Sequence, residues 1–452
     1  AGIATFKDDV KIDAGGLNVV GVVTATSFSG SGANLTSLPA AQLSGTAAAI
    51  NGSNITNLTS GNLTGALPAI DGSALTGISA GFSPDADLNL ISQGTCSGCN
   101  FDGTNACDNI LIGSCAGKCI TSGADNVFIG KDAGCKTTTH GKNVYIGLKA
   151  GASGTASGSN YNFANTSVGA HAGENLTTQC YNTSLGYYAG RGTCQGSANV
   201  SIGAFAGNGG GCGGCNVHLG YQAGLTAKEN AHSVFVGHNA GQKNQGNHNI
   251  AIGACSLKGS DTVADNTGFG NVFFGHKTGC KVTTGCQNIF IGMCAGQCTT
   301  TGGDNIAMGK DAGFKFITAQ HNVILGCEAG CNMDGTTIDN IFIGRKAGKG
   351  TSGCSGLRAN IFVGQYTGED FYCGCCNIAI GADVQLASAT GSCQLAIGQA
   401  TNRWILGDSS FNVCLAGVGV TMTSGTTSCV IAHKFCGDGS CLTGISAGFS
   451  AD

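Results

Sequence analysis

Between residues 109 and 398 apolar residues alternate in short bursts, each closed by a glycine: NILIGSCAG (Asn109–Gly117), NVFIGKDAG (Asn126–Gly134), NVYIGLKAG (Asn143–Gly151), and so on to NIAIG (Asn377–Gly381) and LAIG (Leu395–Gly398). The residue before the closing glycine is apolar in all 17 repeats, and the residue three before it is Val, Ile or Leu in 15, with Thr166 and Thr183 as exceptions. Alternation of this kind is the mark of a short strand with one face buried. Most steps between anchor glycines are 17 residues, and two, ending at Gly169 and Gly275, are 22. A repeat this short has no room for a helix hairpin, which takes more than about 30 residues. The pattern predicts an all-β chain in which each repeat is one turn of a parallel β-roll or β-solenoid. At about 4.8 Å per turn the 17 repeats should span roughly 80 Å.

Other positions of the repeat refine the turn. Asn stands four before the anchor in 15 repeats, among them Asn109, Asn126, Asn143, Asn288, Asn305 and Asn322, with Ser233 and Gln394 as substitutes. Asn tolerates left-handed backbone and bonds its own turn, so a corner ladder of asparagines is expected. The anchor glycine and the glycine four later allow tight turns, and the Ala between them suits a crowded corner. Two before the anchor, 13 of 17 residues are apolar, including Phe128, Tyr145, Phe235, Phe273, Phe290, Phe342 and Phe362. Alternation counted from the apolar positions on either side points this row outward. A long outward apolar row needs a cover. Three copies of the chain meeting on an axis would supply one, making these seven residues trimer-interface candidates; a loop of the same chain is the alternative.

All three prolines, Pro39, Pro68 and Pro84, lie before residue 85, as a stacked sheet that uses every backbone N–H requires. The flanks divide accordingly: an N-terminal stem at 1–38, linking repeats at 39–85, the roll at 86–401 and a second stem at 402–452. DGSALTGISAGFSPD (Asp71–Asp85) returns as DGSCLTGISAGFSAD (Asp438–Asp452). The natural unit therefore reads as a cassette of stem plus roll, either repeated within a longer chain or joined end to end between subunits.

Composition narrows the partners. Of 452 residues 79 are Gly, only 10% are charged, and the net charge is −4, which gives no attraction for nucleic acid or an acidic membrane. No apolar run approaches the roughly 18 residues of a membrane-spanning helix. The N-x-x-[IVL]-G-x-x-A-G repeat resembles the head of trimeric autotransporter adhesins. The flanks, including GIATFKDDVKIDAGG (Gly2–Gly16) and NRWILGDSSFNVCLAGV (Asn402–Val418), are similar to tail fibres and appendages of marine tailed phages. The resemblance implies a homotrimeric virion or extracellular fibre that meets a host-surface glycan or protein, without catalytic residues or cofactor. Two alternatives are a cellular surface adhesin or filament subunit, and a carbohydrate-active solenoid enzyme.

The 26 cysteines sit mainly at corners. Strands about 4.8 Å apart bring neighbouring corners within bridging reach, which makes Cys119 with Cys135, and Cys280 with Cys298, disulfide candidates. Plain small corner residues are the simpler reading. The dense set Cys96, Cys99, Cys107, Cys115 and Cys119 is the one place where a metal could be held. The nine histidines show no metal or catalytic spacing, and the 25 acidic residues are scattered.

Overall fold

The computed structural model describes residues 83–85 and 90–415, apart from the short segments 102–105, 155–163, 193–195, 210–212, 228–230, 334, 351–355 and 411, and also the isolated Val20 and Val22. The segments assigned to 1–38 and 39–82, and the repeated phrase at 438–452, lie outside the described residues.

The chain is an all-β solenoid. Its main sheet has 21 strands, three of which pair antiparallel at the two ends, leaving 18 in one parallel ladder. Register is strict: Ile110 pairs Val127, Leu111 pairs Phe128 and Ile112 pairs Ile129, and the same three positions pair at each later step. The ladder has one strand more than the repeat phrase announces. Leu90–Gln93 pairs in parallel with Ile110–Ile112, and Gly94 takes the anchor's backbone angle, φ 128°. Its sequence, LISQG, has Gln93 where every later repeat is apolar, so pattern matching passes over it.

The alternation is as expected but its phase is reversed. In each three-residue strand the middle residue is the buried one and its neighbours are partly exposed. Phe128, Tyr145, Phe235, Phe273, Phe290, Phe342 and Phe362 are all 0% exposed within a single chain. They fill the solenoid's own interior and are not interface residues. Their rings stack from turn to turn, with centroids 4.9 Å apart for Phe128–Tyr145, 5.0 Å for Phe273–Phe290 and 5.1 Å for Phe342–Phe362.

The glycine four after the anchor shows why the rings point inward. A Cβ on Gly134 would lie 2.5 Å from the Phe128 ring, and one on Gly296 would lie 2.2 Å from Phe290. The ring passes directly over this backbone, so only glycine fits. Where the middle residue shrinks to Ala251, the same position carries Leu257, itself fully buried. A second exchange occurs seven residues after the anchor: Ala307 accompanies a buried Phe316 in its turn, whereas Phe290 accompanies Thr299. These turns keep their interior filled by trading volume between columns, as close packing demands.

The asparagine ladder is present and runs through the interior. Asn126 donates from its backbone N and its Nδ2 to Asn109 Oδ1, both at 3.0 Å, and Asn143 does the same to Asn126. Asn288, Asn305 and Asn322 continue it. The left-handed residue, however, is the one before each Asn: Asp108, Asp125 and Lys142 have φ of 57°, 60° and 62°. The Asn itself is buried and spends its side chain on the neighbouring turns. Ser233 keeps the ladder's backbone link, since Asn249 N donates to its Oγ at 3.2 Å.

Both ends of the ladder are closed by reversal. Ser83–Asp85 pairs antiparallel with Leu90–Gln93, and Asn402–Gly407 folds back along Leu395–Gln399 before Val413–Leu415 adds to it. An open parallel edge invites pairing with another chain, and these antiparallel strands cover it. The second reversal falls at the boundary the sequence places between residues 401 and 402.

Candidate functional site

Two surfaces stand out, and both follow from the phase of the strands. Because the middle residue goes inward, the positions three before and one before each anchor glycine face out. They form two parallel, mostly aliphatic rows along the ladder, broken by Thr166 and Thr183 in one and by Gln93 at the start of the other. Ile289, Ile343, Ile378 and Ile380 are each more than a third exposed. These rows, rather than the aromatic row, are the apolar face that needs a cover.

The second surface lies on the turns anchored by Gly169, Gly186, Gly203 and Gly220. Here the inward middle residues are Ser167, Ser184, Ser201 and His218, all buried. A cavity of about 50 Å³ opens among Ser184, Ser201, His218 and the ladder residues Asn182, Asn199 and Asn216. The His218 ring stacks on Phe235 with centroids 5.4 Å apart, and neither of its nitrogens has a hydrogen-bond partner in the chain. Burial lowers its pKa to about 4, so the imidazole is neutral.

On the outside of the same turns, just past the anchor glycine, aromatic rings accumulate. His171, Tyr188 and Phe205 form a column of nearly parallel rings, with centroid steps of 4.6 and 5.6 Å. Tyr187 and Tyr221 stand edge-on to Phe205, at 86° and 85°, and Tyr221 stacks on His238 at 5.5 Å. The Arg191 guanidinium sits 4.7 Å from the Tyr188 centroid, and its Nε donates to Glu174 Oε2 at 2.8 Å. His171 Nδ1 lies 3.0 Å from the same carboxylate oxygen. Partial burial opposes the charge on Glu174, but Arg191 and His171 outweigh it and hold the carboxyl below its usual pKa. Elsewhere the equivalent corner carries charges, as at Lys131–Asp132, Lys310–Asp311 and Arg345–Lys346. Ser167, Ser184, Ser201 and His218 are the four positions that break the apolar row two before the anchor. The sequence pattern alone did not reveal that aromatics reappear three and four residues downstream of the serine, as in SLGYYAG (Ser184–Gly190).

All 20 cysteines among the described residues are free thiols. Cys119 and Cys135 do lie on adjacent turns, with Cys119 N donating to Cys135 O at 3.1 Å. Cys280 has Cys255 of the preceding turn near its thiol, and Cys298 has Cys294 of its own turn. In the N-terminal set, Cys99 hydrogen-bonds Cys96 and lies near Cys115. Among the described residues no group of three or more His, Cys, Asp or Glu is placed to hold a metal ion, and no helix is long and apolar enough to cross a membrane.

Comparison with known proteins returns no match to any family model, to any characterised protein or to any solved structure.

Proposed function

We propose that the chain is a structural rod of a virion or extracellular fibre, assembled as a homotrimer and serving attachment to a host surface. The observation that carries the reading is the pair of aliphatic rows on the outside of the parallel ladder. Over 18 strands at about 4.8 Å per step they run for roughly 80 Å. Contiguous exposed apolar surface of that extent marks an interaction site. Three copies, each turning this face to a common axis, would bury both rows along their whole length. The interior supports a mechanical role: the asparagine ladder links successive turns, stacked rings reinforce several of them, and each turn contacts mainly its neighbours, as in other repeat proteins.

The test is the native mass of the full chain by analytical ultracentrifugation, with Ile289→Asp as the comparison. The wild type should sediment as three chains, and the variant, with its charge on the outer row, should dissociate. A single-chain wild type overturns the trimer; a two-chain mass points to a face-to-face dimer instead. A cellular adhesin or filament subunit built on the same rod is the second reading. The repeat that supports the first supports it equally, and immunogold imaging of the source particle or cell separates them. We read the chain as non-catalytic: Glu174, the carboxylate of the aromatic section, is engaged by both Arg191 and His171.

A further inference from the structure

The turns anchored from Gly169 to Gly220 are built inside out relative to the rest of the solenoid. Their interior carries Ser167, Ser184, Ser201 and His218 and borders a small open cavity, while rings line the outside. Moving an aromatic side chain from core to surface forgoes packing that every neighbouring region uses. Departures of this kind from local consistency concentrate at functional sites.

We propose that the outer aromatic strip, centred on Tyr187 and Tyr221, is a binding platform for a neutral, extended oligosaccharide. The inference rests on the attachment reading and gives it a site and a ligand class. Tyr187 is 49% exposed and Tyr221 is 46% exposed. Both are fixed in orientation by edge-on contact with Phe205, so the platform is formed before any ligand arrives. The turn between them carries the small Ala204 at the equivalent position. Two turns separate the tyrosines by about 10 Å, and one turn's rise is close to the length of a sugar ring in an extended chain. Alternate rings of such a chain can therefore lay their C–H faces on the two tyrosines, with the ring between them over Ala204.

The polar groups fit the same ligand. Gln222 Nε2 donates to Tyr221 Oη at 3.2 Å, which leaves the tyrosine O–H free to donate outward. Gln242 Nε2 in turn donates to Gln222 Oε1 at 2.9 Å and holds that amide in place. The Glu174 carboxylate at the strip is paired with Arg191 at 2.8 Å and with His171 at 3.0 Å, so among the described residues its charge is met internally and the surface selects for hydroxyls rather than for charge.

The experiment titrates the full chain with short linear β-linked oligomers of glucose, N-acetylglucosamine and mannose, by isothermal calorimetry and saturation-transfer NMR. At least one oligomer should bind. Tyr187→Ala combined with Tyr221→Ala should weaken it about tenfold or more. Met293→Ala, at the same repeat position on a turn outside the strip and 43% exposed, should leave it within about twofold. Circular dichroism of each variant controls for folding, since both tyrosines are surface residues. Absence of binding by every oligomer at millimolar concentration, or equal binding by the double variant, overturns the proposal. Sedimentation of the same samples separates the two ideas. A trimer that binds no sugar refutes only the platform, and a monomer that binds through these tyrosines refutes only the assembly.

Discussion

Replacing Asn305 by Ala removes one rung of the ladder, and the cost can be worked from its contacts. Asn305 Nδ2 donates to Asn288 Oδ1 at 3.0 Å and to Ala319 O at 2.7 Å. Its Oδ1 accepts from Asn322 N at 3.1 Å and Asn322 Nδ2 at 2.9 Å. Asn288 Oδ1 retains the Asn305 backbone N–H, and Ala319 O retains the Gly303 N–H at 3.1 Å, so neither acceptor is orphaned. The Asn322 backbone N–H loses its acceptor inside a buried site, which costs about 1–3 kcal/mol. The three lost side-chain bonds add about 1 kcal/mol each, for a total of about 4–6 kcal/mol. Asn305→Ser should cost less, because a hydroxyl can accept the backbone N–H as Ser233 does from Asn249. In a stack of turns the penalty falls locally, so amide hydrogen exchange by mass spectrometry is the assay, read on peptides covering residues 305–325. The Ala variant should exchange there much faster than the Ser variant, with distant turns unchanged. Equal protection in the two variants would refute the view that the ladder works by satisfying a buried backbone N–H.

Acid should loosen the section around His218. Its pKa of about 4 lies below the usual 6.5, so stability is complete above pH 6.5 and falls as pH drops from 6.5 toward 4, by about 3 kcal/mol in all; hydrogen exchange at pH 7 and pH 4.5 should show the loss in residues 200–237, and His218→Gln should abolish it. Phe290→Ala should open a cavity in its own turn at a cost of about 3–5 kcal/mol, whereas Ile289→Asp should leave the turn protected and break assembly; the reverse assignment, in exchange and sedimentation together, would restore the opposite strand phase. Cys331, whose thiol burial pushes up to about 11 against the opposing pull of Lys349, should alkylate at pH 8 about 100-fold more slowly than free cysteine in solution, measured by mass spectrometry after timed quenching. Mild oxidation should cross-link Cys119 to Cys135 before Cys280 to Cys298, because only the first pair shares a backbone hydrogen bond between its turns; peptide mapping under non-reducing conditions decides it.

Much of this molecule is legible in its repeat. The anchor glycines, the Asn four before them and the exclusion of proline lead directly to a parallel solenoid of about 17 residues per turn. The strand phase was not recoverable from alternation alone, because apolar residues occupy both faces. Val127 and Ile129 are as apolar as Phe128, and a three-residue strand offers no further period to break the tie. The deciding signal is steric and sits elsewhere in the repeat: glycine four after the anchor wherever the middle residue is a large ring, and Leu257 where it is Ala251. The same phase error moved the interface candidates from Ile289 and Ile343 to Phe290 and Phe342. It also hid the aromatic strip, whose residues read as loop until the serines beside them are recognised as interior. The strand at Leu90–Gln93 escaped because its register depends on pairing with Ile110–Ile112 and not on its own composition.

The native mass of the 452-residue chain tests the central claim most directly. Sedimentation equilibrium at micromolar concentration should return three times the 44.7 kDa chain mass, and Ile289→Asp should shift it toward one. A stable species of 44.7 kDa, with the aliphatic rows open to water and no tendency to associate, would contradict the account.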